Sequence, residues 1–213
     1  MPDNLSSTRD RIMARIRAAT AEAPNREFAA VLASRPPAEN LLAPVDDPVN
    51  EFLKRARSNG CELIDLPDLP ELPVSVASRL PGIETLAADE RLGYLDWSAF
   101  RLTDNTSEAA TGLVLADAGI AETGTLVFTN RTVASSLLFL VDHLAVLLLL
   151  SRLQRRQEDT CRAIDRDASA VHLVSGPSRT ADVEQTIQIG AHGPRRLLVF
   201  VLDDRASPVS FVQ

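Results

Sequence analysis

Lysine is nearly missing from this 213-residue chain, with Lys54 its single example, and cysteine occurs only at Cys61 and Cys161. Neither cysteine belongs to a C-x-x-C and no four-cysteine cluster exists. The chain therefore cannot ligate an iron–sulfur centre alone, and a structural zinc of the usual kind is disfavoured. The nine glycines never stand two positions apart, which removes the G-x-G-x-x-G dinucleotide fingerprint. Lys54 follows no glycine, so the phosphate loop ending in G-K-[ST] is absent too. H-E-x-x-H and G-x-S-x-G do not occur, and His143, His172 and His192 lack metal-ligand spacing. Positive charge is in short supply: 22 basic residues face 29 acidic ones, a net charge of −7. A nucleic-acid binder needs the opposite balance. The most apolar stretch, Leu137–Leu150, is interrupted by Asp142 and His143 and falls short of the ~20 residues a spanning helix needs. The first residues are Arg-rich without an apolar core, unlike a secretory leader. Together with two free thiols, this predicts a soluble, cytoplasmic protein without a membrane span.

What is present is the composition of an ordinary globular domain, 45% hydrophobic and 24% charged. Such a chain buries about 70% of its unfolded surface and needs no disulfide or metal to hold a core. Residues 1–40 read as an N-terminal helical arm. It has a helix over 6–22, whose Ile12, Met13 and Ile16 share a face, and a short second helix at Phe28–Leu32. The arm is either a cover on the core or a docking element for a partner. Residues 41–213 read as one α/β domain. Asp46 or Asp47 caps a helix with Pro48 just inside it, and Asn59–Gly60 ends that helix. Strands are predicted at Cys61–Leu66, Val74–Ala77, Leu92–Trp97, Gly112–Ala116, Thr125–Thr129, Leu144–Leu150, Val171–Val174 and Leu197–Leu202. A proline-punctuated loop is predicted over Leu66–Pro73, and a surface helix over Ser151–Arg162 with Leu153, Cys161 and Ile164 inward. The all-apolar run Leu144–Leu150 suits a strand covered on both faces, and strand–helix alternation predicts a three-layer α/β/α sandwich with a mostly parallel sheet.

Three segments carry candidate chemistry. The first, Ser175-Gly-Pro-Ser-Arg-Thr-Ala-Asp-Val-Glu184, follows a strand and reads as the opening of a helix. There, at the Gly176–Thr180 turn, outward backbone N–H groups would favour an anion, with the hydroxyls of Ser178 and Thr180 and the Arg179 fork beside them. The competing reading is a simple cap, in which Asp182 and Glu184 satisfy the dipole themselves. The second, Gly119-Ile-Ala-Glu-Thr-Gly-Thr125, puts Glu122 between small residues at a strand turn. Glu122 could be a nucleophile or base, and Thr123, Gly124 and Thr125 could hold a carboxylate or phosphate. The alternative is a tight hairpin turn using glycine at positive φ. The third, Gly190-Ala-His-Gly-Pro194, offers His192 as an acid or base, or as a partner for a helix end.

In their order and spacing, these segments resemble the LUD domain, and most closely the lactate utilization protein C family. The specific motifs of the resemblance lie between residues 112 and 194. It departs at Asn130–His143, where relatives often have proline at the position of Asp142. The resemblance implies a fold related to sugar-phosphate isomerases and CoA transferases. It also implies a subunit needed for oxidising L-lactate to pyruvate beside iron–sulfur partner proteins, with no cofactor in this chain and clusters only in the partners. The expected ligand is a small carboxylate or phosphate-bearing molecule. The alternative it implies is a free-standing CoA-transferase-like or sugar-phosphate-isomerase-like enzyme using Glu122.

Overall fold

In a computed structural model the described residues are 3–21, 45–106, 108–164, 168–181, 187–189, 193–207 and 209. The chain divides into two units, residues 1–44 and 45–213. In the first, helix α1 spans Asp3–Ala21, and its stripe of Ile12, Met13 and Ile16 is exposed. The expected helix at Phe28–Leu32 lies outside the described residues.

The second unit opens with α2 (Pro48–Ser58). Asp47 caps it, its carboxylate accepting from the Asn50 amide at 3.1 Å, with Pro48 in the first turn. Asn59 and then Gly60, at φ +94°, end the helix and aim the chain into β1 (Glu62–Leu66). The next stretch is not the expected loop and strand. A 3-10 turn at Leu69–Glu71 leads into helix α3 (Leu72–Arg79). Asp68 caps that turn by accepting from the Glu71 amide. Pro70 and Pro73 fall in first-turn positions, where a missing N–H costs nothing. Leu69, Leu72, Val76 and Leu80, three or four residues apart, bury one helical stripe.

Strand β2 (Thr85–Ala88) follows. The strand expected at Leu92–Trp97 is a 3-10 turn at Glu90–Leu92 with turns after it, and the buried Trp97 indole donates back to the Leu92 carbonyl. The chain continues through β3 (Arg101–Leu102), β4 (Thr111–Leu115), β5 (Ala118–Ile120) and β6 (Thr125–Thr129). Helix α4 (Ser135–Phe139), β7 (His143–Leu149) and β8 (Leu153–Gln154) come next. The expected surface helix is shortened to α5 (Gln157–Ala163), and Cys161 is exposed on it rather than inward. Last are β9 (Val171–Val174), β10 (Arg179–Ala181), β11 (Ile187–Ile189) and β12 (Arg196–Leu202).

Six strands form one sheet in the order β1-β12-β7-β4-β2-β3, and every neighbouring pair in it is parallel. One face, through Leu113, Leu147 and Phe200, packs on α3 and Trp97. The other, through Val114, Val146 and Val199, packs on α2, α4 and a second sheet of order β8-β5-β6-β9. Burial on both faces is why β4 and β7 are apolar at nearly every position. The fold is mixed α/β around a parallel sheet, and one of its outer layers combines helices with four short strands.

Candidate functional site

The three sequence segments converge, though not as a helix N-terminus. Residues Arg179–Ala181 are strand β10, paired antiparallel with β11, so the helix expected to begin near Thr180 is replaced there by a hairpin. Asp182, Glu184 and His192, and the side chain of Thr180, lie outside the described residues. The segments close on the junction between α2 and β1. The Gly124 turn lies against α2, at φ +67°, and a Cβ on it would overlap the backbone N of Ala56. The Asn59 side-chain Nδ2 donates to the Thr123 carbonyl at 2.9 Å. On the other side, Arg179 Nη2 donates to the Asn59 carbonyl at 3.1 Å. Gly176 approaches so closely that a Cβ would stand 2.5 Å from that same oxygen. The Ser178 amide donates to the Pro194 carbonyl at 2.8 Å. Thr123, Thr125 and Ser175 form a chain of hydroxyls, with links of 2.7 and 2.8 Å. The buried Cys61 thiol sits beneath, donating to the Ser175 carbonyl. Burial pushes its pKa up to about 11, against the pull of Arg179.

Thr123, Gly124, Thr125, Gly176, Ser178 and Arg179 therefore share one place. It is a clasp at the amino ends of β1 and β12, because Asn59–Cys61 lead into β1 and Gly193–Pro194 into β12. That is the end of the sheet opposite the one where open parallel sheets bind ligands. Glu122 is occupied elsewhere. Its Oε1 accepts from the Gln157 amide at 2.9 Å, at the start of α5, which is a cap's work. Glu122→Ala is expected to lower stability by about 1 kcal/mol, read as an earlier urea midpoint with an unchanged slope.

At the carboxyl ends lies a cleft of about 580 Å³ that the sequence motifs do not reach, a volume within the usual range for small-molecule sites. It opens beside the ends of β2 and β3, and the segment after β6 closes it. Thr103, Thr106, Thr132 and Ser136 line it, with Asn130. So do Glu90, Asp104 and Arg131. Its base is a charged lattice. Asp89 is 2% exposed and meets Arg91 through both oxygens, the shortest contact being Nη2 to Oδ2 at 2.6 Å. Arg91 also donates to the Leu115 carbonyl and to Asp117. Asp117 Oδ2 accepts from the Thr129 amide and from the Thr132 hydroxyl. Burial alone would depress the Arg91 pKa, but the hydrogen bonds and charges of Asp89 and Asp117 hold it above its ordinary value. Arg152, bonded to the Ala116 carbonyl, is driven down by burial and by Arg91.

The signal for this end was present but unmotivated by any motif. Asp89 follows β2 directly, Asp117 stands two residues after β4, and Asp203 and Asp204 follow β12. An acidic residue just past an apolar strand marks the carboxyl edge once the strands are known to be parallel.

The LUD domain is matched over residues 84–202, a stretch that holds the cleft, the hairpin turn and the β10 segment. Among similar proteins, a lactate utilization protein C of Halalkalibacterium halodurans is 30% identical over 113 residues, 49% of this chain and 49% of that protein. A lactate utilization protein C of Anoxybacillus flavithermus is 30% identical, covering 51% and 52%. One from an Exiguobacterium species is 29% identical over 166 residues, 68% and 70%. The chain thus spans about half the length of the first of these relatives. A crystal structure of a DUF162 family protein from Deinococcus radiodurans aligns with a TM-score of 0.55 and 17% identity. The alignment covers 73% of this chain and 96% of that one, and it supports the fold alone.

Proposed function

The chain belongs to the LUD domain family, and from that premise we propose that it is a component of L-lactate utilization. In this reading it acts beside iron–sulfur proteins in the oxidation of L-lactate to pyruvate and carries no cluster itself. The observation that carries the reading is the LUD match over residues 84–202 together with relatives named lactate utilization protein C. The cysteine placement agrees with a cluster-free member: Cys61 is buried under the clasp and Cys161 is exposed on α5, far too few thiolates for a cluster.

The ligand, a small carboxylate or phosphate-bearing molecule, is assigned to the cleft. Thr103, Thr106, Ser136 and Arg131 are among the residues that line it, and hydroxyl and guanidinium groups of this kind suit such an anion. Arg179 and Gly176 meet the Asn59 carbonyl at the end of α2, and the Ser178 amide meets the Pro194 carbonyl, so the cleft is favoured over them as the ligand site. The alternative, a CoA-transferase-like enzyme with Glu122 as nucleophile, has less support, because that carboxylate is engaged by the Gln157 amide.

The test is reconstitution. With the iron–sulfur partners and a dye acceptor, lactate-dependent dye reduction is expected to need this chain, and tagged chain is expected to retain those partners in a pull-down. Full turnover without the chain would overturn the assignment. Trapping a thioester on Glu122 with CoA substrates would replace it with the alternative.

A further inference from the structure

The segment between β6 and α4 forms one wall of the cleft, and the carboxyl ends of β2 and β3 form the other. The first wall is a tight turn held from both sides. Within it, the Thr132 and Val133 amides donate to the Thr129 carbonyl, at 3.2 and 3.1 Å. On one flank the Thr132 hydroxyl donates to Asp117 Oδ2 at 2.6 Å, and the Thr129 amide donates to the same oxygen at 2.7 Å. On the other flank Asn130 is tied to the residues that lead into β9. Its Nδ2 donates to the Ser169 hydroxyl at 2.8 Å, its Oδ1 accepts from the Ala170 amide at 3.0 Å, and its backbone amide donates to the Ala170 carbonyl. Arg131 stands between these two anchored neighbours, exposed, on the lining of the cleft.

The charged residues on the lining are Arg91 and Arg131 against Asp89, Glu90 and Asp104. Arg91 is committed to the lattice below the cleft. Its Nε and Nη2 meet Asp89, Nη2 also donates to the Leu115 carbonyl, and Nη1 meets Asp117. Asp89 in turn accepts from Arg91 and from the Leu115 amide. The remaining charges are Arg131 on one wall and Glu90 and Asp104, both exposed, on the other. An arginine fork matches a carboxylate through two parallel hydrogen bonds. A phosphate ester carries about 1.5–2 negative charges near neutral pH, and its second charge would meet carboxylates here rather than a second cation. Exposed charges act through a high dielectric and are screened by salt, so this discrimination is severalfold and greatest at low ionic strength.

We propose that Arg131 is the anion-binding residue of the cleft, presented there by the anchored side chains of Asn130 and Thr132, and that Glu90 and Asp104 restrict the anion to a single charge, a carboxylate in preference to a phosphate ester. The inference rests on the cleft being the ligand site and narrows the ligand assigned to it. Asn130 and Thr132 are positioning residues in this account, because their polar groups are engaged by Ser169, Ala170 and Asp117. They act on the ligand through the place they give Arg131. A guanidinium on a turn fixed at both neighbours loses less freedom when it closes on an anion than one on a mobile loop, and that difference goes into affinity.

The experiment is a titration of the full chain followed by amide NMR shifts, at about pH 7.5, where phosphate carries close to two charges, and at matched low ionic strength. The probes are L-lactate and pyruvate as single-charge carboxylates and inorganic phosphate as the dianion. A carboxylate is expected to shift the amides of Asn130–Val133 and not those of the clasp at Thr123–Thr125. Arg131→Gln is expected to weaken its binding about tenfold or more, and Arg131→Lys, which keeps the charge and loses the fork, by less. Asn130→Ala is expected to weaken it severalfold. Asn130→Asp, whose oxygens can still accept from the Ser169 hydroxyl and the Ala170 amide, is expected to restore it. Phosphate is expected to bind the wild type severalfold more weakly than the carboxylates, and Glu90→Gln with Asp104→Asn to close that gap. All four substituted positions are exposed, so the variants are expected to fold. Four results would each overturn the proposal: no shift at the cleft with either carboxylate, unchanged affinity in Arg131→Gln, phosphate preferred by the wild type, or a gap that survives the double substitution. Partner-dependent lactate turnover does not enter these measurements, so the need for this chain in the reconstituted system can hold while the anchor fails.

Discussion

Gly124→Ala is expected to destabilise the protein by roughly 3 kcal/mol or more. Two effects add. At φ +67° the backbone is in the left-handed region, which costs a residue with Cβ roughly 1–2 kcal/mol. The new methyl would also be driven into the backbone of Arg55 and Ala56, rigid atoms in the middle of α2, and overpacking of that kind typically costs another 1–3 kcal/mol. Neither the hairpin nor the helix can yield cheaply. The Thr123 carbonyl is held by Asn59, and Phe52 and Ala56 of α2 are fully buried. Gly82 provides the control. It has φ +82° but nothing within 4 Å of its would-be Cβ, so Gly82→Ala carries only the conformational part. Urea unfolding of the two variants separates the contributions. A clearly larger midpoint shift for Gly124→Ala is the expected result. Equal shifts would mean that the hairpin turn does not pack on α2 as described.

The same glycine shows why part of the site could be read from the sequence and part could not. Positive φ at the Glu122–Thr125 turn is a local property, and a two-glycine turn between apolar runs announces it. Helix α2 was equally legible, since its Asp47 cap, its proline and its terminal Asn59–Gly60 all act within a few residues. Strands β4, β7 and β12 declared themselves by being apolar after their first residue, as burial on both faces demands. The errors have a common origin. Pro70 and Pro73 break strands and interior helix turns but are welcome in a helical first turn, and local composition does not say which applies. The Ser175–Glu184 run has the hydroxyls and acids of a helix cap. Yet residues 179–181 pair with 187–189, and Gly176 must fit against Asn59, a residue more than a hundred positions earlier. Pairing of that range overrides local preference. The cleft escaped notice because its residues come from β2, β3 and the segment after β6, and only the parallel register brings their carboxyl ends together.

The second large effect is expected at that edge. Asp89→Ala would leave Arg91 partly buried without its bidentate partner and the Leu115 amide without the oxygen it donates to. Removing one partner of a buried ion pair typically costs 3–5 kcal/mol, because the surviving charge stays desolvated. Asp117 remains as a weaker partner at 3.3 Å and Arg91 is 20% exposed, so the lower part of that range, about 3 kcal/mol, is expected here. In a domain of this size that corresponds to a fall of roughly 6–12 °C in Tm. A thermodynamic cycle with Arg91→Ala distinguishes an ion pair from mere side-chain packing. If the lattice acts as a unit, the double variant is less destabilised than the sum of the singles, since removing both charges relieves the stranded one. Simple additivity would show that Asp89 and Arg91 do not sense each other. An apolar replacement of both, Asp89→Leu with Arg91→Met, takes the argument from fold to function. Paired apolar substitutions often restore the stability a single deletion removes. If the charges exist to hold the cleft for a ligand, this variant is expected to recover much of the lost Tm while lactate-dependent turnover in the reconstituted system stays low. Recovery of both would make the lattice a scaffold only and would move the ligand away from the cleft.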